Sequence, residues 1–493
     1  MGSHILAIDQ GTTGTRAILF HRSGRVAGQA YQELSQHFPK PGWVEHDPEE
    51  IWRSTVRVIG QAARHAGIKL SSVEAIGITN QRETTVLWDK RSGRPLYRAI
   101  VWQDRRTSDI CRGLKPREPD VRTVTGLVLD PYFSGTKLTW LIRHVPVVSR
   151  AIRAGRAAFG TVDSWLLWKL TGGAVHATDV TNASRTLLYD LRRWRWSRPM
   201  MKMLGVPGSI LPDVLPSGSH FGETARLAFL PSGIPIRGIA GDQQAALYGQ
   251  GCVSAGSAKN TYGTGCFLLM QTGRRFVRSS AGLITTAACD DLGHPAYALE
   301  GSVFIAGAAV QWLRDGLKII KTASETEKLA RSVKDTGGVY FVPAFVGLGA
   351  PYWNPEARGL ICGLTRGSGR AHLARAALES IAFQSQEVLE AMRRDSGIGL
   401  RSLQVDGGAT KNDFLLQFQA DLTGVSVVRP KIVETTALGA AQLAGVGIGM
   451  WSQKDLQRMR GTDKRFFPRW TDKERTMAMK RWRAAVARTL LIP

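Results

Sequence analysis

The stretch AIDQGTTGTRAILF, residues 7–20, starts as a buried strand and then interrupts itself. An apolar run meets Asp9, the turn Gly11-Thr12-Thr13-Gly14 follows, and a second β-like run begins at Thr15-Arg16. Gly and Asp are ordinary hairpin residues, so a plain tight turn is one reading. The other is a phosphate cradle. Glycines let backbone N–H groups approach an anion, and the hydroxyls of Thr12 and Thr13 with Arg16 add donors. Asp9 then stands where a metal-bound polyphosphate needs a carboxylate. The rest of the chain has to decide between them.

Around this stretch, strands are expected over residues 5–9, 16–20, 26–30 and 73–79. Asp47-Pro48-Glu49-Glu50 has the form of a helix start: an acid at the cap, proline in the first position, acids in the first turn. The strand over 73–79 runs into Asn80-Gln81-Arg82-Glu83-Thr84-Thr85, polar residues at a carboxyl end, where α/β sheets put their ligands. The second half repeats the design. IRGIAGDQQAALYGQ (236–250) reads strand, Gly-Asp-Gln-Gln, helix, and LQVDGGATKNDFLLQFQADLTGVSV (403–427) reads strand, Asp-Gly-Gly, helix, strand. KNTYGTGCFLLM (259–270) is another Gly/Thr turn between β-like runs, echoing the first. A duplicated α/β architecture is therefore expected, with ligand in the cleft between halves 1–250 and 251–493 and the boundary near residues 249–257.

Composition narrows the class. With 493 residues, 43% hydrophobic and 21% charged, the chain has the make-up of a globular protein too large for one core. The nearest thing to a membrane span, residues 437–451, is short, glycine-rich and interrupted by Gln442. Five scattered cysteines without a Cys-x-x-Cys spacing argue against a disulfide framework or zinc site and for a reducing compartment. The net charge of +25 favours anionic partners in general. Its lysines and arginines are spread along the chain, which suits a solvated surface better than a nucleic-acid groove.

No Gly-x-x-x-x-Gly-Lys-Ser/Thr occurs, which excludes the common P-loop. The turns at Gly11–Thr15 and Gly263-Thr264-Gly265 could instead contact phosphates from both walls of a cleft. Asp406-Gly407-Gly408 would let a flat ring lie against bare backbone. Asp242, between an apolar strand and a helix, reads as a helix cap or as the acceptor of a hydroxyl proton in phosphoryl transfer. Arg82-Glu83 reads as a surface ion pair of little energetic weight or as a hydrogen-bonding fork for a small polyol. Trp102, Tyr132 and Phe267 could back the carbon chain.

Taken in order, these stretches resemble the FGGY family of carbohydrate kinases, and within it the members that act on glycerol. GITNQRETTVLWD (77–89), VWQDRRT (101–107), TDVTNASRT (178–186) and VPAFVGLGAPYWNPEARG (342–359) extend the likeness. YFSGTKLTWLIRH (132–144) and GLICGLTRGSGRAHLARAALE (359–379) fit the family's two signature regions. The resemblance implies an α/β fold of two actin-like, RNase-H-like domains flanking a ligand cleft. It further implies ATP-dependent phosphorylation of glycerol to sn-glycerol 3-phosphate. Arg82, Glu83, Trp102, Tyr132, Asp242, Gln243 and Phe267 would hold glycerol, with Asp242 as base. Thr12, Thr13, Arg16, Thr264, Gly307, Gln311, Gly408 and Asn412 would bind the nucleotide, and Asp9 and Asp242 would organise Mg²⁺. A cytoplasmic homo-oligomer, dimer or tetramer, without nucleic-acid partner, is expected. Some bacterial members respond to fructose 1,6-bisphosphate through a Gly-Gly-Thr-Arg-Ile loop; here the stretch is FLPSGIPI (229–236), without arginine. The competing readings are a kinase of the same fold for another polyol or a pentulose, and a non-catalytic basic binding protein.

Overall fold

The computed structural model describes residues 3–289 and 296–491. The opening stretch is a β-hairpin: β1 (His4–Gln10) pairs antiparallel with β2 (Gly14–His21), which pairs with β3 (Val26–Glu33). β4 (Val73–Asn80) runs parallel to β1, and β5 (Ile236–Gly241) parallel to β4, giving the order β5-β4-β1-β2-β3. The period-two pattern of β1 decides what covers the sheet. Leu6 and Ile8 share a cluster with Ile51, Val58 and Ile59 of helix α1 (Pro48–Ala66). Ile5 and Ala7 share another with Ala437, Leu438 and Ala441, which come from the far end of the chain. The expected start of α1 is present, with Asp47 Oδ1 accepting from the Glu49 N–H at 2.9 Å.

The second half rebuilds the same core. β6 (Ser257–Tyr262) and β7 (Cys266–Gly273) form the second hairpin. β7 pairs with β9 (Tyr297–Val303), and β9 with β8 (Ile284–Ala287). On the other side of β6 lie the parallel strands β10 (Ser402–Asp406) and β11 (Val427–Pro430), then β12 (Thr462–Phe466). The five central strands, β11-β10-β6-β7-β9, repeat the order and directions of β5-β4-β1-β2-β3. The duplication expected from the two Gly/Thr turns is thus a duplication of topology.

Helix α2 (Ser134–His144) buries Leu138 and Leu141 in a separate cluster with Leu87, Phe159 and Leu187; α3 (Asp242–Gly249) follows β5 and α4 (Gly307–Asp315) follows β9. Next come α5 (Arg370–Ser396), α6 (Asp413–Thr423), α7 (Thr435–Gly447) and α8 (Asp472–Leu490). The apolar run 437–451 is mostly α7, and it packs against β1, β4 and β5 of the first sheet and against α3. No helix among the described residues is long and apolar enough to cross a membrane.

α3 and α7 approach until backbone meets backbone. A Cβ at Gly439 would collide with the carbonyl oxygen of Ala245, and one at Gly249 with that of Thr435. Gly77 of β4 is equally tight against Ala440. These glycines are required by approach rather than by their dihedral angles. Gly439→Ala should cost roughly 1–3 kcal/mol of stability, because a methyl group must be forced against rigid backbone. A calorimetric midpoint equal to that of the wild type would refute the contact.

Candidate active site

Arg82 and Glu83 follow β4 after Gln81, and they are not a surface pair: they are 3% and 1% exposed. Nor are they each other's closest partner, since Arg82 Nε lies 3.8 Å from Glu83 Oε1. Arg82 forks onto Glu300 of β9, Nη1 to Oε2 at 2.6 Å and Nη2 to Oε1 at 2.9 Å. Arg185 donates from Nε to Glu83 Oε1 at 2.6 Å and from Nη2 to Glu300 Oε1 at 3.2 Å. Two guanidinium groups and two carboxylates therefore alternate around a closed ring. Glu83 enters it with φ of 62°, a left-handed conformation rare for a residue with a side chain. Its carbonyl accepts from the hydroxyls of Ser134 at 2.9 Å and Thr85 at 3.1 Å, which holds that turn in place.

Asp242 is attached to the outside of this ring. It is the first residue of α3, not its cap, because Gly241 takes the cap position. Its Oδ1 accepts from the Gln243 N–H at 2.7 Å and lies 3.2 Å from Arg82 Nε. Its Oδ2 has no hydrogen-bond partner among the described residues, and 31% of the side chain is exposed. Gln243 turns its Oε1 to the ammonium of Lys259, which also donates to Thr261 Oγ1 at 2.8 Å. Tyr132 places its hydroxyl 3.5 Å from Arg82 Nη2. Its ring lies under Arg185 and edge-on to Trp102 at 5.4 Å. Phe267 stands on β7 opposite Ser302 of β9, two residues from Glu300, so all three side chains share one face of the second sheet.

The first Gly/Thr turn closes with the Gly11 N–H on the Gly14 carbonyl at 2.9 Å. Thr12 Oγ1 accepts from the Trp102 indole at 2.8 Å, so the turn touches the Trp102–Tyr132 pair. Thr13 is exposed. Arg16, opposite Asp9 in the ladder, makes an ion pair with Glu434 at the cap of α7. The second turn is stitched to the start of α4. Ala306 and Ala308 donate to the Thr264 carbonyl at 2.8 and 3.1 Å, and Gly307 to the Gly263 carbonyl at 3.0 Å. Gln311 and Gly408 are exposed. Gly407 takes φ of 90°, and Asn412 caps α6, accepting from the Leu415 N–H at 3.0 Å. No side-chain hydrogen bond among the described residues joins the Thr12, Thr13, Arg16 set to the Thr264, Gly307, Gln311, Gly408, Asn412 set.

Burial and pairing sort the charges. Burial opposes ionisation of Glu300, yet Arg185 and Arg82 hold its carboxyl down to about 2. Glu83, with fewer close donors, is raised by burial against the pull of the same arginines. Burial pulls the Lys259 ammonium down while Asp406 and Asp242 oppose it. Asp9 is pushed up to about 6 by burial, with Arg16 opposing and the nearby charge of Asp242 adding to the rise. Two carboxylates that repel each other beside a phosphate-type turn suit a hard cation whose remaining ligands are phosphate and water oxygens. No group of three or more His, Cys, Asp or Glu suited to a metal occurs among the described residues, and a pair such as Asp9 and Asp242 could hold Mg²⁺ only with phosphate and water completing its shell.

Three residues of the site, Arg185, Glu300 and Lys259, are not singled out by sequence reasoning. A signal existed for two of them. Glu300 is the one charge within the β9 sequence YALEGSV, and Lys259 the one charge within the β6 sequence SAKNTY. A charge in a buried strand needs a buried partner.

Models of the FGGY family of carbohydrate kinases match the chain twice, the N-terminal domain at residues 4–249 and the C-terminal domain at 258–448. The glycerol kinase of Symbiobacterium thermophilum is 56% identical over 488 residues, covering 98% of both chains. That of Deinococcus radiodurans is 55% identical, covering 98% of this chain and 97% of its own. Among solved structures, Plasmodium falciparum glycerol kinase with ADP superposes with a TM-score of 0.94 at 38% identity, over 99% of each chain. A xylulose kinase from Lactobacillus acidophilus, at 22% identity and a TM-score of 0.87, shares the fold.

Asp9 gives a pH-dependent test in metal-free protein. Its folded-state pKa, about 6, lies above its ordinary value of 3.8. Below the lower value both states are protonated there. Between the two the unfolded chain ionises first, so stability falls as pH rises, and above the upper value the whole loss is present. Asp9→Asn should therefore melt higher than the wild type at about pH 8, with the gap narrowing toward about pH 5. A gap that stays constant or reverses would contradict the burial of this charge.

Proposed function

This chain belongs to the FGGY family of carbohydrate kinases, and on that footing we infer that it transfers the γ-phosphoryl group of ATP to glycerol, giving sn-glycerol 3-phosphate. The geometric observation that carries the chemistry is Asp242, whose two oxygens are unequal. Oδ1 is engaged by the Gln243 N–H and faces Arg82 Nε, while Oδ2 is left for a substrate. In this reading a glycerol hydroxyl donates to Oδ2, loses its proton there as the O–P bond forms, and ADP leaves from the opposite side. Arg82, with its Nε 3.2 Å from Oδ1, keeps the carboxylate in place.

Glycerol would lie against Trp102, Tyr132 and Phe267, with its hydroxyls toward Arg82, Glu83, Asp242 and Gln243. Because Gln243 Oε1 is occupied by Lys259, its amide N–H₂ is the end turned to substrate. The turn at Thr12 and Thr13, with Arg16 once freed from Glu434, would meet phosphates from one wall. Thr264, Gly307, Gln311, Gly408 and Asn412 would meet the nucleotide from the other. Mg²⁺, held through Asp9 and Asp242, would neutralise phosphate charge. The contact between Trp102 and Thr12 supports this partition, since it brings the polyol and phosphate groups together. A pentulose or larger polyol is the less favoured substrate, because the relatives at 55–56% identity are glycerol kinases. The free cysteines suit a reducing cytoplasm, and the reading includes a homo-oligomer with no nucleic-acid partner.

Coupled ADP release with glycerol, a pentulose and no acceptor tests the assignment, and turnover only with the pentulose would overturn it. Asp242→Asn keeps the shape but removes the basic oxygen, so kcat should fall about 10²–10⁴-fold while ATP still binds. Near-normal kcat at saturating glycerol and ATP would exclude Asp242 as the base.

A further inference from the structure

We propose that Glu300 is a positioning residue for the glycerol pocket: a carboxylate from the second half that aims Arg82 of the first half at Asp242 and the substrate. The inference rests on the glycerol reading above. Glu300 comes from β9, whereas Arg82, Glu83, Tyr132 and Asp242 all come from the first half. Its fork occupies Nη1 and Nη2 of Arg82, and a two-point contact fixes the plane of a guanidinium as a single bond would not. With that plane fixed, the Nε edge is directed to Asp242 Oδ1 at 3.2 Å and the outer Nη2 edge toward the Tyr132 hydroxyl at 3.5 Å. Gln244 Oε1 also accepts from Nη1, at 3.3 Å, but it is neutral and reaches one nitrogen.

The same carboxylate sets Glu83 indirectly. Arg185 bonds Glu300 Oε1 with Nη2 and Glu83 Oε1 with Nε, so the orientation of one acid is transmitted to the other. Glu300 shares its sheet face with the position of Phe267, so one strand pair delivers both the apolar backing and the anchor. The pocket's polar fork is thereby complete only while β9 lies against the first half. Glycerol affinity and the approach of the two halves are one property.

The rival is an ion pair that merely stabilises the fold, and the two differ in what Glu300→Gln changes. With full-length protein, KM for glycerol, KM for ATP, kcat and thermal midpoint are measured for wild type, Glu300→Gln and Glu300→Asp, with calorimetric titration of glycerol in the absence of ATP. A positioning role predicts a rise of about 10–100-fold in glycerol KM and in its calorimetric dissociation constant for Glu300→Gln. ATP KM should stay within about twofold, and kcat should fall as well, because Asp242 loses the fixed Arg82 edge that it faces. Glu300→Asp, which keeps the charge on a shorter arm, should recover part of the glycerol affinity. Glycerol KM within about twofold of wild type alongside a lowered midpoint would overturn the inference, as would equal rises in both KM values. Should Glu300→Gln not be recovered folded, Glu300→Asp is judged by the same split between glycerol and ATP. Absence of glycerol turnover by the wild type would overturn the proposed function and this inference together. Wild-type turnover with an unmoved glycerol KM in the variants overturns the inference alone.

Discussion

Four buried charges that can only be satisfied together set the terms for the rest of this molecule. Taking one carboxylate or guanidinium out of water costs several kcal/mol, and a single partner seldom offsets that. Arg82, Glu300, Arg185 and Glu83 meet the requirement by alternation, so that removing any one leaves two like charges facing a gap. The ring draws its members from the strand end after β4, from the segment around residue 185 and from β9. Those segments have to converge in one place for the ring to close. Even the left-handed turn at Glu83 becomes intelligible, as a backbone cost borne to bring a carboxylate to the right side.

The duplicated topology gives the two halves the same places to put chemistry, and they fill them differently. After β4 the first half presents Gln81, Arg82 and Glu83, side chains fit to recognise hydroxyls. After β10, the equivalent strand, the second half presents Gly407 and Gly408, bare backbone that a planar ring can approach. The hairpin turns differ in the same sense. The first is tied through Thr12 to Trp102, and the second through its carbonyls to the start of α4. On the proposed assignment, one fold used twice would separate recognition of a small alcohol from recognition of a nucleotide.

Much of this was legible in the residues. Period-two burial in β1, the capped start of α1 and the repeated Gly/Thr turn all have local causes, and local causes leave local patterns. Asp242, Arg82 and Glu83 were visible because polar residues at strand ends break an apolar run. What stayed hidden was partnership. Nothing near Arg82 in the chain points to Glu300, 218 residues away, and nothing near Arg16 points to Glu434. The apolar run 437–451 shows the same gap: its composition signals burial, but only the tertiary structure says that it is buried against the opposite half. Pairings across a cleft depend on topology, which a window of sequence does not contain.

The crossing of α3 and α7 has a mechanical meaning. Where Gly439 lies on Ala245 and Gly249 on Thr435, main chain meets main chain, and beside these notches Ala245 and Tyr248 of α3 pack with Ala437, Leu438 and Ala441 of α7. By sequence α7 belongs to the second half, yet it lies on β1, β4 and β5 of the first sheet, while α3 of the first half also reaches β6 and β7 of the second. The two halves are lapped rather than butted together, as boards are in a joint. α3 begins at Asp242, so the overlap and the carboxylate assigned to the chemistry belong to the same short rod. Neither half could be lifted away without unpacking the other.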